Sequence, residues 1–537
     1  MRKKVFIVLL SLLIIAGCKK EESKPKLVVF ISIDQLGEHM FEHYQDLFTG
    51  GYKWLVDNGT WYKNLHFEHW YCATGPGHFV LSSGQHPVKG GVLGNYYYNR
   101  DLKRKEYCVE DTLANIIGKD GKAQSYRKIP TTTLGDWLKT EHPESKIFSV
   151  SGKDRGAILL AGKNPDLAVW YDWKGEFVTS DYYTSVNPQW LTQYNENNDL
   201  TKYRDSVWTR ELDPAIYDEN VRIDNFYGEI DRFDTKEYSP IFPIGFDSDL
   251  TNEQVVERLG DGPWLDIETL RLAEIVLIDE DLGKDDTPDI LFISLSGTDV
   301  VGHHWGPFSH EGMDNQLKLD KYLQTFFESI DERVGLDNVL FVLTADHGVL
   351  PLPEYLTEYK NLPAGRIDRK NYTSACETAL KEIEQSFGSD LVHRNFEEFY
   401  YDVDKLAEEN IAKAEIDKIL RENLSAVEGI GIIITKDEIL NGDPNDKIIA
   451  SFQNYTDAYR SPDLIAIPKE FWTFRYPLGT THGVPYDYDS NVPLVIAYEG
   501  HEKNSIDEYC GAVDIAPSVA NILGITIPDF VDGKSIF

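Results

Sequence analysis

Four stretches of this chain share one pattern: a continuous apolar, β-rich run that stops abruptly at polar residues. Residues 27–33 lead to Asp34, residues 290–295 to Ser296-Gly297-Thr298-Asp299, residues 339–345 to Asp346-His347-Gly348, and residues 146–150 to Ser151-Gly152-Lys153-Asp154-Arg155. Runs without alternation mark strands buried on both faces. Residues 132–140, 269–278 and 315–330 predict intervening helices, the last with apolar residues at helical spacing. The fold class is therefore α/β, a central mostly parallel sheet flanked by helices. In such sheets ligands gather outside the carboxyl ends of strands, so the four polar tips predict one shared site.

Two stretches depart from the pattern. Residues 164–262 are rich in Tyr, Trp, Asp and Asn with few long apolar runs, and predict an insertion or loop system over the sheet. Residues 352–474 predict a second unit, with helices over 379–387 and 403–423 and a strand over 429–434. The chain then returns through Gly479-Thr480-Thr481-His482-Gly483 and closes with a strand over 492–497 and a helix over 512–523. The expected organisation is one core domain, 26–537, carrying two insertions.

The N-terminus changes the picture. Arg2, Lys3 and Lys4, an apolar run over 5–15 and Ala16-Gly17 form a signal peptide of residues 1–17, with a run too short to span a membrane. Ile15-Ala16-Gly17-Cys18 resembles a bacterial lipobox. That resemblance implies a lipid on Cys18, residues 18–25 as a polar tether, and membrane contact only through the lipid. The protein is then an exported lipoprotein, periplasmic or on the cell surface, attached to the outer membrane of a Gram-negative bacterium. A formal charge of −36, from 53 basic and 89 acidic residues, repels nucleic acid and anionic membrane alike. Export fits a chain that tolerates disulfides. Cys72, Cys108, Cys376 and Cys510 allow three full pairings, and none shows the spacing of a structural zinc knot.

Candidate chemistry sits at the strand tips and in Cys72-Ala73-Thr74-Gly75-Pro76-Gly77-His78. A threonine among glycines, just before a run with helical potential, presents its hydroxyl and outward backbone N–H groups. Thr74 is thus a candidate nucleophile, the competing reading being a helix N-cap in a turn. Asp34, Asp299, His303, Asp346, His347 and His482 are six potential metal ligands. Carboxylates and imidazoles in that proportion suit zinc, and two sets of three with an open position suit a two-metal hydrolytic centre. Asp299 and His303, four apart, meet one ion from a single helical turn. His304 competes with His303, which the spacing favours.

The ordered set of Asp34, the Thr74 segment, Gly297-Thr298-Asp299-Val300-Val301-Gly302-His303, Thr344-Ala345-Asp346-His347-Gly348 and Thr481-His482-Gly483 resembles the alkaline phosphatase superfamily across essentially the whole mature chain. The resemblance implies two Zn²⁺ ions, one held by Asp299, His303 and His482, the other by Asp34, Asp346 and His347 with Thr74 beside it. Lys153 and Arg155 resemble the Lys-x-Arg element of PafA-type members, and Asn95 falls where that branch keeps an asparagine on a phosphate oxygen. These imply a broad-specificity phosphate monoester hydrolase acting through a phosphothreonine, with small-molecule monoesters as substrates and a monomer as the expected state. A nucleotide pyrophosphatase/phosphodiesterase is the alternative, lacking Lys-x-Arg. Cys72-Ala73-Thr74-Gly75-Pro76 lacks the spacing and arginine of a sulfatase. A non-catalytic surface-binding lipoprotein is the remaining alternative.

Overall fold

In the computed structural model, which describes residues 24–233 and 240–536, ten strands form one sheet. The signal peptide, Cys18 and most of the tether lie outside the described residues. In chain order the strands are β1 (Leu27–Ile33), β2 (Thr60–His66), β3 (Ile147–Ser151), β4 (Leu167–Tyr171), β5 (Phe177–Val178), β6 (Asp289–Leu295), β7 (Val339–Thr344), β8 (Asn491–Ala497), β9 (Asn504–Ile506) and β10 (Cys510–Gly511). Across the sheet they run β9-β2-β8-β7-β1-β6-β3-β4-β5, with β10 pairing β2 off that path. β1 lies parallel between β6 and β7, and β3 extends the parallel set beyond β6. All four are buried at every position, the reason their sequences are apolar without alternation.

Because these four strands share a direction, their carboxyl ends open at one edge of the sheet. There they deliver Asp34, Lys153 and Arg155, Asp299, and Asp346 with His347. β8 runs antiparallel to β7 and β2, so the segment preceding it, with His482, reaches the same edge. The flanking helices include α1 (Thr74–Ser83), α2 (Asp154–Ala161), α3 (Trp264–Asp279), α4 (Gly297–Trp305) and α5 (His310–Arg333). The helix expected over 132–140 forms as Leu134–Glu141, its start fixed by a capping box between Thr133 and Asp136.

Two sequence expectations need correction. The stretch from residue 164 does not open as an excursion: β4 and β5 are strands of the central sheet, and the polar, aromatic excursion begins only after Val178. The short run Leu167-Ala168-Val169-Trp170-Tyr171 is wholly buried but is set among polar neighbours that hide it. The helix expected over 403–423 is two, Val403–Glu408 and Lys413–Leu424, with Asn410 between them in the left-handed region at φ 55°.

The 352–474 stretch builds a four-stranded sheet from Val392–Asn395, Glu398–Tyr401, Leu464–Pro468 and Ile430–Thr435, in that spatial order. It has its own core around Tyr372, Cys376, Ile416 and Leu420. A second aromatic cluster, in which Trp70, Leu93 and Tyr97 meet Phe452, Tyr455 and Ile465, fastens it to the chain just before Thr74. The four described cysteines are buried free thiols with no disulfide among them. Burial pushes the Cys108 and Cys510 thiols up to about 12, which leaves them inert at neutral pH. Among the described residues no helix is long and apolar enough to cross a membrane.

Asp320, on α5 and 1% exposed, accepts from the backbone N–H groups of Thr49 (2.7 Å), Gly50 (2.6 Å) and Tyr52 (2.8 Å), clamping the helix Gly51–Asn58 to α5. Asp320→Ala leaves the Gly50 and Tyr52 donors buried without this partner. Denaturant unfolding is expected to show a loss of about 3 kcal/mol.

Candidate active site

Thr74 is the first residue of α1, after Ala73 in extended conformation, and Pro76 fits the first turn, where its missing N–H costs nothing. The helix ends at Gly84, whose φ of 61° is the left-handed cap. Ala73, not Thr74, holds the cap position, so the threonine hydroxyl is left for other work. Its side-chain partner is Arg155, with Nη2 3.3 Å from Oγ1. Beside it, the Gly75 N–H donates to Asn95 Oδ1 at 2.7 Å, which turns the Asn95 amide nitrogen away from that bond. Arg155 is braced by the Tyr107 hydroxyl, 3.4 Å from Nη1, and Tyr107 in turn donates to Asp154.

Asp34, Asp346 and His347 form one trio, fully buried, with ligand atoms all within 4.8 Å of one another. Asp34 Oδ1, Asp346 Oδ2 and His347 Nε2 are buried with no hydrogen-bond partner. Three orphaned, chemically matched donors at one point are what a divalent cation satisfies, and the His347 Nδ1 contact with the Gly348 carbonyl at 2.9 Å leaves Nε2 as the free ligand atom. The residues therefore fit a metal.

Asp299, His347 and His482 form the second trio. The His347 and His482 rings stack with centroids 3.7 Å apart. His303, expected to complete this set, stands beside Asp299 on α4, its Nε2 3.2 Å from Oδ1 and its ring 5.2 Å from that of His482. His303 Nδ1 is tied to the Thr480 carbonyl (2.9 Å) and His482 Nδ1 to the Cys72 carbonyl (2.7 Å), so both rings present Nε2. His304 faces the other way, 3.7 Å from Asp261.

Lys153 is expected to grip substrate, and the structure gives it a further task. Its ammonium lies 2.6 Å from Asp34 Oδ2 and 2.6 Å from Asp299 Oδ2, bridging the two trios. Burial, then the neighbouring Asp346, push the Asp34 carboxyl up to about 8. Burial acts the same way on Asp346, but His347 and His78 outweigh it and hold that carboxyl below its ordinary range. Asp299 likewise ends well below it, because His303 and Lys153 overcome burial. Burial, then His347 and His303, hold His482 neutral, the form that ligates a metal.

Three residues without an assigned role in the sequence analysis support this set. Gln35, at φ 74°, donates its N–H to Asp346 Oδ1 (3.1 Å) and its amide to Asp299 Oδ1 (2.6 Å), linking both trios. Gly302 leaves it room, since a Cβ there would lie 1.8 Å from Gln35 Oε1. His78, one turn after Thr74, contacts the Thr74 carbonyl and Ser294 Oγ, both at 2.9 Å, and lies 3.1 Å from Asp346 Oδ2. Asp489 accepts from the N–H groups of Gly483 (2.7 Å) and Val484 (3.0 Å), anchoring the loop of His482. Adjacency to Asp34 and the i, i+4 relation to Thr74 were available signals for the first two, while Asp489 had none.

The chain matches the model of the family described as type I phosphodiesterase / nucleotide pyrophosphatase over residues 28–491. It is 29% identical over 551 residues to the alkaline phosphatase PafA of Elizabethkingia meningoseptica, covering 98% of both chains. It is 30% identical to the alkaline phosphatase PhoV of Synechococcus elongatus, covering 96% of this chain and 92% of that one. The crystal structure of wild-type PafA superposes with a TM-score of 0.87 at 30% identity, covering 96% of this chain and 98% of that one.

Gly77 tests how closely α1 must approach the ligands. A Cβ there would lie 2.1 Å from the Asp346 carbonyl oxygen, a backbone atom that cannot swing aside. Gly77→Ala is expected to push α1 off the strand tip and lower divalent-metal affinity by about tenfold or more, measured by competition with a chromogenic chelator.

Proposed function

Because the chain belongs to the type I phosphodiesterase / nucleotide pyrophosphatase family, and with it to the alkaline phosphatase superfamily, we propose that it is a phosphate monoester hydrolase of broad range working through a phosphothreonine. The observation that carries the reading is the Arg155 guanidinium 3.3 Å from the Thr74 hydroxyl. A monoester dianion carries more charge than a diester, and a guanidinium spans two of its oxygens. The Asn95 amide and the N-terminus of α1 add neutral donors on the same side.

Asp34, Asp346 and His347 would hold one zinc ion, and Asp299 and His482 with His303 the other. When bound, the pair lowers the pKa of an oxygen nucleophile and stabilises the charge on entering and leaving oxygens. The chain's own residues supply the rest. Thr74 Oγ1, its proton given up to solvent, attacks phosphorus in line as the bond to the leaving oxygen breaks and that oxygen takes a proton from solvent. Water then attacks the same phosphorus, the Oγ1–P bond breaks, and inorganic phosphate leaves with Thr74 regenerated. Arg155 stays protonated throughout, so it holds phosphoryl oxygens and favours the anionic form of Thr74 rather than accepting its proton. Lys153 adds a second cation where the two ligand groups meet. The cavity outside Thr481 and His482, about 520 Å³, is large enough for varied leaving groups. Export and lipid attachment at Cys18 belong to the same proposal.

Arg155→Ala is expected to lower kcat/KM for a monoester by about 100-fold and for a diester by much less; equal losses would favour a phosphodiesterase. Thr74→Ala is expected to abolish the labelled phosphoenzyme trapped by acid quench. Label persisting on the chain would place the nucleophile elsewhere, and its absence from the wild type together with no turnover would favour a binding protein.

A further inference from the structure

The cavity outside Thr481 and His482, which Arg155 and Asn95 also line, has a second cationic wall that the phosphoryl chemistry above does not use. Arg475 lies on it, in the segment that closes the second unit and leads back to Thr481 and His482. Its backbone is engaged, the N–H with Thr473 Oγ1 and the carbonyl with Arg366. Among the described residues its half-buried guanidinium has neither a hydrogen-bond nor an ion-pair partner. Burial, then Arg369 and Arg366, disfavour its charge, with Asp299 acting in the opposite direction. A charge held in that state is one that an incoming anion relieves.

Arg369 and the exposed Lys105 line the same cavity, and no carboxylate among the described residues lies within ion-pair distance of either. Arg369 spends one N–H on the Phe474 carbonyl at 3.2 Å and otherwise rests 5.7 Å from the Phe396 ring centre. Two acids share the wall. Glu398 is held by Asn395 and by the Tyr400 hydroxyl, both at 2.8 Å. Burial, then Glu398, push Glu397 up to about 8, with Lys105 and Arg394 acting in the opposite direction, and neither acid comes within ion-pair distance of the three cations. In a chain of net charge −36, a cavity wall with three cations lacking carboxylate partners is out of keeping with its surroundings. Trp472 and Phe474 give the wall an apolar floor.

We propose that this wall is an anion subsite for the leaving group, centred on Arg475 and flanked by Arg369 and Lys105. It favours esters whose leaving group carries a carboxylate or a second phosphate at the end of an apolar body. The inference rests on the phosphoryl site described above, and deepens it by naming a substrate class.

The test uses full-length, metal-loaded protein and four esters: phenyl phosphate, 4-carboxyphenyl phosphate and the methyl diesters of both. Within each pair, the ratio of kcat/KM for carboxylated over plain ester reads the subsite, and comparing wild type with Arg475→Ala cancels the intrinsic reactivity of the two phenols. Arg475→Ala is expected to lower that ratio by about tenfold, with Arg475→Lys restoring part of it. The wild-type ratio is expected to fall with added salt, because Arg369 and Lys105 face solvent. A ratio that Arg475→Ala leaves unchanged, or loss of the same size on plain and carboxylated esters, overturns the subsite. The monoester reading is judged separately: if the diesters are the better substrates it fails, while the diester pair still reports the Arg475 ratio. Circular dichroism and metal content of both variants confirm that the comparison is between folded, loaded proteins.

Discussion

Asp34 and Asp346 are buried side by side at the ends of adjacent parallel strands, and two carboxylates so placed raise each other's pKa unless positive charge stands between them. The site can be read as a set of answers to that problem. Lys153 bridges Asp34 to Asp299, Gln35 ties Asp299 to Asp346, and His78 comes within 3.1 Å of Asp346. Without a hydrogen-bond partner remain one oxygen of Asp34, the Asp346 oxygen that His78 approaches, and one nitrogen of His347, all within 4.8 Å of one another. A cluster of that chemistry calls for a cation, and the surrounding elements hold it in place.

The supports work by close approach. α1 brings Thr74 to the site because Gly77 lets the helix touch the Asp346 backbone, and α4 brings Asp299 because Asp266 accepts from the Gly297 N–H at 2.9 Å. Asp489 holds the loop that delivers His482 and, through its own carbonyl, accepts from the Gly348 N–H at 2.7 Å. That links His482 to the loop after His347 although the two histidines are far apart in the chain. The second unit contributes to the same edge by way of its aromatic seam with Trp70, and its cations line the outer cavity. The inner region is thus built on rigid strand ends, while the outer wall combines residues of the added module, Arg369 among them, with Lys105 from the hairpin that follows α1.

The four parallel strands that end at the site and the polar residues at their tips were legible in the chain itself, because burial on both faces leaves an unbroken apolar run and a strand end leaves an abrupt stop. The five ordered motifs named Asp34, Asp346, His347 and Asp299, which the fold gathers at one edge, and the four-residue spacing named His303, which stands beside Asp299 while the His304 ring lies near Asp261. Such signals are local: each depends on a few adjacent residues and the period of one element. β4 escaped notice because five residues among polar neighbours carry too short a pattern. The break at Asn410 escaped because one left-handed residue leaves helical periodicity intact on both sides.

Only the tertiary structure decided which groups distant in the chain meet. The antiparallel direction of β8 is what puts His482 at the edge that carries Asp34, Asp299 and Asp346. The bridging place of Lys153, the stacking of His482 on His347, the anchoring by Asp489 and the unpaired state of Arg475 are likewise settled by packing, with nothing in neighbouring residues to announce them. The physical reason is that burial writes its pattern along the strand it acts on, whereas charge compensation is set by whichever groups the folded chain brings within a few ångströms.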